Sequence, residues 1–168
     1  INISTIIHTN QFIQFYRKYS KWIIKKNSLS TMLKTLHQIG LIKKKYYIQV
    51  TKNRPPNSGM GGGSMNSASI LKFFLKRKII ILNKKKILEI CEMVGNDVKI
   101  GLYKGPIFLN SNNSIQPLKK GLSYHLLIFK PKIGCSTKYI FSKFKKFSKK
   151  IPLNTHNLLK LNHKNNDL

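Results

Sequence analysis

Apolar positions recur along this chain at two spacings, and they divide it into strands and helices. Residues 1–7 alternate apolar and polar side chains, a period of two that predicts a strand, and residues 19–25 predict another. Asn27 and Ser28 then open a helix in which Leu29, Met32, Leu33, Leu36 and Ile39 share one face, with Gly40 placed to end it. Residues 46–51 are β-branched and aromatic and predict a strand. A second helical face follows at Ile70, Leu71, Phe74 and Leu75. A third runs over residues 84–94, with Ile87, Leu88, Cys91 and Val94 inward and Gly95 as its cap. Residues 98–103, 106–110 and 124–129 predict strands. Ser136 and Thr137 can cap a last helix bearing Tyr139, Ile140 and Phe144. Mixed helices and strands with no internal repeat predict an α+β or α/β class.

Between the strand at 46–51 and the helix at 70–75 the composition changes abruptly. Residues 53–66 hold two prolines, four glycines and small polar side chains, which exclude regular structure at the start of the segment. Three consecutive glycines, Gly61, Gly62 and Gly63, let backbone amides approach an anion closely. The helix that follows offers unpaired N–H groups and a partial positive charge at its start. Together these make a polyphosphate cradle, to which Ser64 can add a hydroxyl. The loop is not a Walker A sequence, because no Gly-Lys-Ser/Thr follows. It is not the dinucleotide fingerprint either, because the glycine spacing differs and no acid follows some twenty residues on.

Charge changes the picture less than its size suggests. The 168 residues carry 32 Lys+Arg against 4 Asp+Glu, a net +28, so a nucleic-acid surface has to be weighed. Yet the lysines are spread over every segment, Ala68 is the sole alanine, and Lys far outnumbers Arg. That is the mark of drift toward AT-rich codons, and nucleic acid is not the expected partner. At 41% hydrophobic residues the chain has the material for one domain core. Apolar runs such as 78–82 are far too short to span a bilayer, so no membrane association is expected. Cys91 and Cys135 are far apart and lack metal-ligand spacing, which fits a reducing compartment; no metal-ligating set is expected. The four acids are Glu89, Glu92, Asp97 and Asp167. Glu89 and Glu92 read as solvated, and Asp97 by itself as a turn acid after the Gly95 cap.

The spacing Pro55-x₃-Gly59-Met60-Gly61-Gly62-Gly63-Ser64 resembles the second motif of the GHMP kinases. Within that family it is most similar to the kinases of 4-diphosphocytidyl-2-C-methyl-D-erythritol, through residues 52–55 before the loop and 66–69 after it. Gly95-Asn96-Asp97-Val98 resembles the family's Gly-Ala/Ser-Asp-Val-Pro, with Lys99 standing where the family usually has Pro. Further likenesses follow in order: Asn27-Ser28-Leu29, Pro117-Leu118 after a degraded glycine motif at 110–114, residues 128–137, and Asn166-Asp167-Leu168.

The resemblance implies the α+β GHMP kinase fold. Residues 1–147 would be most of the N-terminal nucleotide-binding lobe, and residues 148–168 a linker into a C-terminal lobe. It implies ATP and Mg²⁺ as cofactors and Asp97 as the catalytic base. Pro55, Pro56, Asn57, Ser58, Gly59, Met60, Gly61, Gly62, Gly63, Ser64 and Met65 would bind the ATP phosphates. The expected reaction is ATP-dependent phosphorylation of the 2-hydroxyl of the cytidine-diphosphate methylerythritol, in non-mevalonate isoprenoid synthesis. A bacterial cytoplasm or a plastid-like organelle would house it. The first residue is Ile1, and the family's lysine-bearing Pro-x-Lys-x-Asn segment would precede it, so the chain is expected to be an inactive piece of a longer enzyme. The alternatives are a basic ribosomal or RNA-binding protein, or a GHMP kinase of another alcohol such as homoserine or mevalonate.

Overall fold

The computed structural model describes residues 12–22, 27–53, 55, 58–110, 112–119, 125, 127, 129 and 137–143. They fall in two compact units, 1–119 and 120–168. The strand expected at 1–7, most of the one at 124–129, and the domain boundary expected at 147 lie outside the described residues.

In the first unit the order begins with strand β1 (Phe12–Tyr16), helix α1 (Ser28–Gln38) and strand β2 (Tyr47–Thr51). β1 and β2 pair in parallel, from Phe12 with Tyr47 to Tyr16 with Thr51, and the segment containing α1 makes the crossover that a parallel pair requires. Alternation puts Ile48 and Val50 in the core, with Ile13 and Phe15 packed against it. On the opposite face Gln14, Tyr16, Tyr47 and Gln49 join in a hydrogen-bond cluster; the Tyr47 hydroxyl donates to Gln14 Oε1 and Gln49 Nε2 donates to the Tyr16 hydroxyl at 3.0 Å.

α1 starts where the sequence places it. Asn27 Oδ1 accepts from the backbone N–H groups of Leu29 and Ser30, both at 3.1 Å, and Ser30 Oγ accepts from the Asn27 N–H at 3.0 Å. This reciprocal cap is worth about 1 kcal/mol. Leu29, Met32, Leu33 and Leu36 are buried as their spacing predicts. Gly40, at φ +73°, turns the chain out of the helix.

Helix α2 (Gly62–Lys76) begins inside the glycine run, and helix α3 (Lys84–Val94) has the predicted bounds. Ala68, Ile70, Leu71 and Phe74 of α2 and Ile90 and Cys91 of α3 complete the core with α1, and the Phe74 ring meets Tyr46 at 4.9 Å between centroids. Ile90 joins the predicted Cys91 as a fully buried α3 side chain, while Leu88 is half-buried. Burial first, and then the neighbouring Glu92 charge, push the Cys91 thiol up to about 11, so it stays a protonated core side chain.

Three expectations are corrected. Residues 98–103 are not a strand: Asn96–Leu102 is a 3-10 helix, opened by Val98 N–H on the Gly95 carbonyl at 2.9 Å. Its apolar residues alternate, but Gly101, with no side chain, lets it lie against Ala68 of α2. The span 19–25 contains a 3-10 turn at Ser20–Trp22 where it is described, and the strand, β1, lies earlier. Strand β3 (Ile107–Leu109) forms as expected, but its antiparallel partner β4 (Ile115–Pro117), directly after the degraded glycine motif at 110–114, lies where no strand is predicted. In the second unit α4 (Thr137–Ser142) forms where predicted, with Tyr139 exposed and Ile140 half-buried. No described helix is long and apolar enough to cross a membrane.

The 3-10 helix is seated on α2 through a pair of small residues. A Cβ added at Gly101 would lie 2.6 Å from the Ala68 Cβ and 3.1 Å from Met65 Sδ, so the contact admits no side chain. Gly101→Ala should therefore cost about 1–3 kcal/mol in a denaturant titration, as overpacking does. Adding Ala68→Gly should recover most of that loss; an additive double variant would refute the contact.

Candidate functional site

The glycine loop occupies the bend between β2 and α2. Gly59 and Gly61 adopt the left-handed conformation, at φ +68° and +61°, which only glycine takes at little cost. Gly61 is the N-cap residue of α2 and has no side chain to cap it, so the first-turn N–H groups of Gly62, Gly63 and Ser64 keep the orphan status of a helix start. The first closed turn is Met65 N–H on the Gly61 carbonyl at 3.0 Å. Ahead of it the Ser58 hydroxyl donates to the Pro55 carbonyl at 2.9 Å and folds the loop on itself. Of the eleven predicted loop residues, Pro56 and Asn57 lie outside the described ones; the other nine form this bend and the first turn of α2.

Two side chains that were not predicted as site residues converge on the same spot. Lys52, directly after β2, brings its ammonium so near that a Cβ on Gly62 would lie 3.5 Å from Nζ. Ser28, in the first turn of α1, packs against Gly63, whose added Cβ would be 3.0 Å from Ser28 Oγ. Two helix N-termini and an ammonium therefore share one small volume. Backbone donors, aligned dipoles and a fixed positive charge there favour a bound polyanion. Lys52 could have been found from sequence as the first residue beyond the strand pattern and directly before the loop.

Asp97 lies in the first turn of the 3-10 helix and is exposed. Its neighbour Val98 is fully buried, and four residues on Gly101 lies against Met65 and Ala68 of α2. Lys72 Nζ donates to the Gly101 carbonyl at 3.0 Å, a second tie to the same helix. Thus the helix that begins in the glycine loop also carries the segment with the carboxylate. Among the described residues none hydrogen-bonds the Asp97 side chain, so the 3-10 backbone sets the position of its Cβ and the carboxylate extends from there. No three His, Cys, Asp or Glu side chains among the described residues gather as a metal site.

This geometry can hold a polyphosphate at one end of α2 and present a carboxylate on a segment fixed to its flank. Residues 24–108 match the family model of the GHMP kinases N terminal domain. The chain belongs to the GHMP kinase family. It is 44% identical over 138 residues to the 4-diphosphocytidyl-2-C-methyl-D-erythritol kinase of Pelagibacter ubique, covering 82% of this chain and 49% of that protein. It is 30% identical over 106 residues to the enzyme of the same name from Fervidobacterium nodosum, covering 61% of this chain and 38% of the relative. For the one from Sulfurihydrogenibium sp. the identity is 33% over 106 residues, covering 62% and 38%. The chain thus spans half or less of the length of these relatives. The α+β class and the GHMP kinase fold expected from sequence both hold. The matched region contains β2, the whole glycine loop, α1 to α3 and Asp97.

Proposed function

We propose that this chain is the nucleotide-binding part of an ATP-dependent kinase of 4-diphosphocytidyl-2-C-methyl-D-erythritol. The observation that carries the reading is the uncapped start of α2 at Gly61, with Lys52 beside Gly62 and Asp97 on a segment seated against the same helix. The shared name of relatives that match across this region supports the choice of alcohol over homoserine or mevalonate.

In this reading the phosphates of ATP accept hydrogen bonds from the first-turn N–H groups of α2, and the Lys52 ammonium offsets their charge. Asp97 takes the proton of the substrate 2-hydroxyl as its oxygen attacks the γ-phosphorus. The new O–P bond forms while the bond to the β,γ-bridging oxygen breaks, and ADP leaves with that electron pair. Mg²⁺ would supply charge neutralisation at the β- and γ-phosphates. The donor set suits a metal that arrives with the nucleotide: with no cluster of carboxylates and imidazoles among the described residues, phosphate oxygens and water would supply most ligands, and Ser64 could add its hydroxyl.

The test is ADP release by the full-length protein. Turnover should require the cytidine-diphosphate alcohol and Mg²⁺, and homoserine or mevalonate should not replace it. Equal rates with either of those alcohols would overturn the substrate assignment.

A further inference from the structure

Lys99 is the most heavily buried charged residue described, with 2% of its surface exposed, two positions after Asp97. Burying an ammonium is costly unless it is paired, and an apolar side chain in its place is often neutral or stabilising. The acceptors it meets come from two different elements. Lys99 Nζ donates to the Asn113 carbonyl at 2.7 Å and lies 3.4 Å from Glu92 Oε1, a carboxylate half-exposed on α3.

The Asn113 carbonyl is held ready for it. Asn113 sits at φ +67° in the β3–β4 turn, and its N–H donates to the Asn110 carbonyl at 2.8 Å. The Asn110 N–H donates to the Ser114 carbonyl at 2.9 Å, and the Asn112 side chain accepts from the Ser114 N–H at 3.1 Å. The same ammonium thus ties the 3-10 helix to α3 and to the hairpin turn. On its other flank Gly101 fixes the 3-10 helix to α2. Since no described residue hydrogen-bonds the Asp97 side chain, the backbone of this turn is what sets the point from which the carboxylate extends.

We infer that Lys99 is a positioning residue for Asp97, locking the carboxylate-bearing turn through Glu92 on α3 and the Asn113 carbonyl of the β3–β4 turn. Lys99 does for this backbone what a proline there would do by restricting φ, but through contacts that reach two other elements. The inference rests on Asp97 being the base in the reading proposed above.

The experiment is steady-state kinetics on the full-length protein carrying Lys99→Met, which keeps an unbranched apolar stem one atom shorter and removes the charge. Misplacing a reacting group by about 1 Å can cost up to about 100-fold, so kcat should fall about 10- to 100-fold. KM for ATP and for the alcohol should stay within twofold, and the thermal midpoint should hold, since removing a buried charge relieves its desolvation cost. A kcat within twofold of the parent overturns the inference. So does a rise in either KM that matches the fall in kcat, because that reports general disruption. Should Lys99→Met fail to fold, Glu92→Gln at its half-exposed site decides: a loss of kcat above about threefold with unchanged KM supports the lock, and unchanged kcat overturns it. Asp97→Asn assayed alongside separates the two levels. If it stays active, the base assignment falls and the positioning inference with it. If it is dead while Lys99→Met is fully active, the positioning inference alone falls.

Discussion

Asp97→Asn in the full-length protein should lower kcat by about 10²- to 10⁴-fold, the range expected for loss of general-base catalysis. ATP affinity measured by calorimetry should change less than twofold. The asparagine is isosteric, and the exposed Asp97 side chain makes no hydrogen bond to any described residue, so neither the core nor the fold should register the change. Its neighbour Val98 remains buried and the Gly101–Ala68 contact remains closed, so the 3-10 helix keeps its seat. A thermal midpoint equal to the parent's would show that any loss is chemical. Activity within threefold of the parent would remove Asp97 from the mechanism and return it to the turn-forming role its sequence context alone suggests.

The elements best legible in the sequence are those with local causes. α1 is specified by Asn27 at its cap, a clean 3.6-residue apolar period and Gly40 at its end, and each of these acts within a few residues. α3 is equally self-contained between Asn83, which accepts the Lys86 N–H at 2.9 Å, and Gly95. The 3-10 helix at Asn96–Leu102 is not legible locally, because its alternation of Val98, Ile100 and Leu102 is also that of a strand. What decides against the strand is non-local: Gly101 fits only against Ala68, some thirty residues away, and the Lys99 ammonium needs Glu92 and Asn113 around it. β4 is hidden in the sequence for a related reason. Residues 115–117 have no strong pattern of their own and become a strand only when Ile115, Gln116 and Pro117 align with β3. The bend of the glycine loop into the start of α2 is legible because it depends on Gly59 and Gly61 themselves, and the phosphate cradle proposed there uses backbone amides that need no distant partner. The approach of Lys52 and Ser28 to Gly62 and Gly63 is not legible, because it depends on β2 and α1 delivering side chains to the start of α2. Asp97 is the intermediate case: its residue type and turn context alone suggest a turn acid, and only the resemblance of the pattern around it to the family motif proposes it as the base.

Gly62→Val should weaken ATP binding by about tenfold or more, about 1.4 kcal/mol, while leaving the protein folded. Gly62 is the first residue of α2 and, unlike Gly61, does not sit at positive φ, so valine meets no backbone strain there. Its Cβ would stand 3.5 Å from the Lys52 ammonium, an ordinary contact distance, and the loop can accept that atom. The two γ-methyl groups are different. They would fill the space between the ammonium and the first-turn N–H groups, which a phosphate must enter to reach both. The loss should therefore appear in KM for ATP and in the directly measured dissociation constant. Gly62→Ala should lose distinctly less, because it adds only the Cβ that the geometry tolerates. Gly61→Ala should behave in the opposite sense: φ +61° costs an alanine about 1–2 kcal/mol of stability, so the thermal midpoint should drop. A Gly62→Val protein that binds ATP as tightly as the parent would mean that the phosphates do not lie on the start of α2. The uncapped Gly61 turn would then need another explanation.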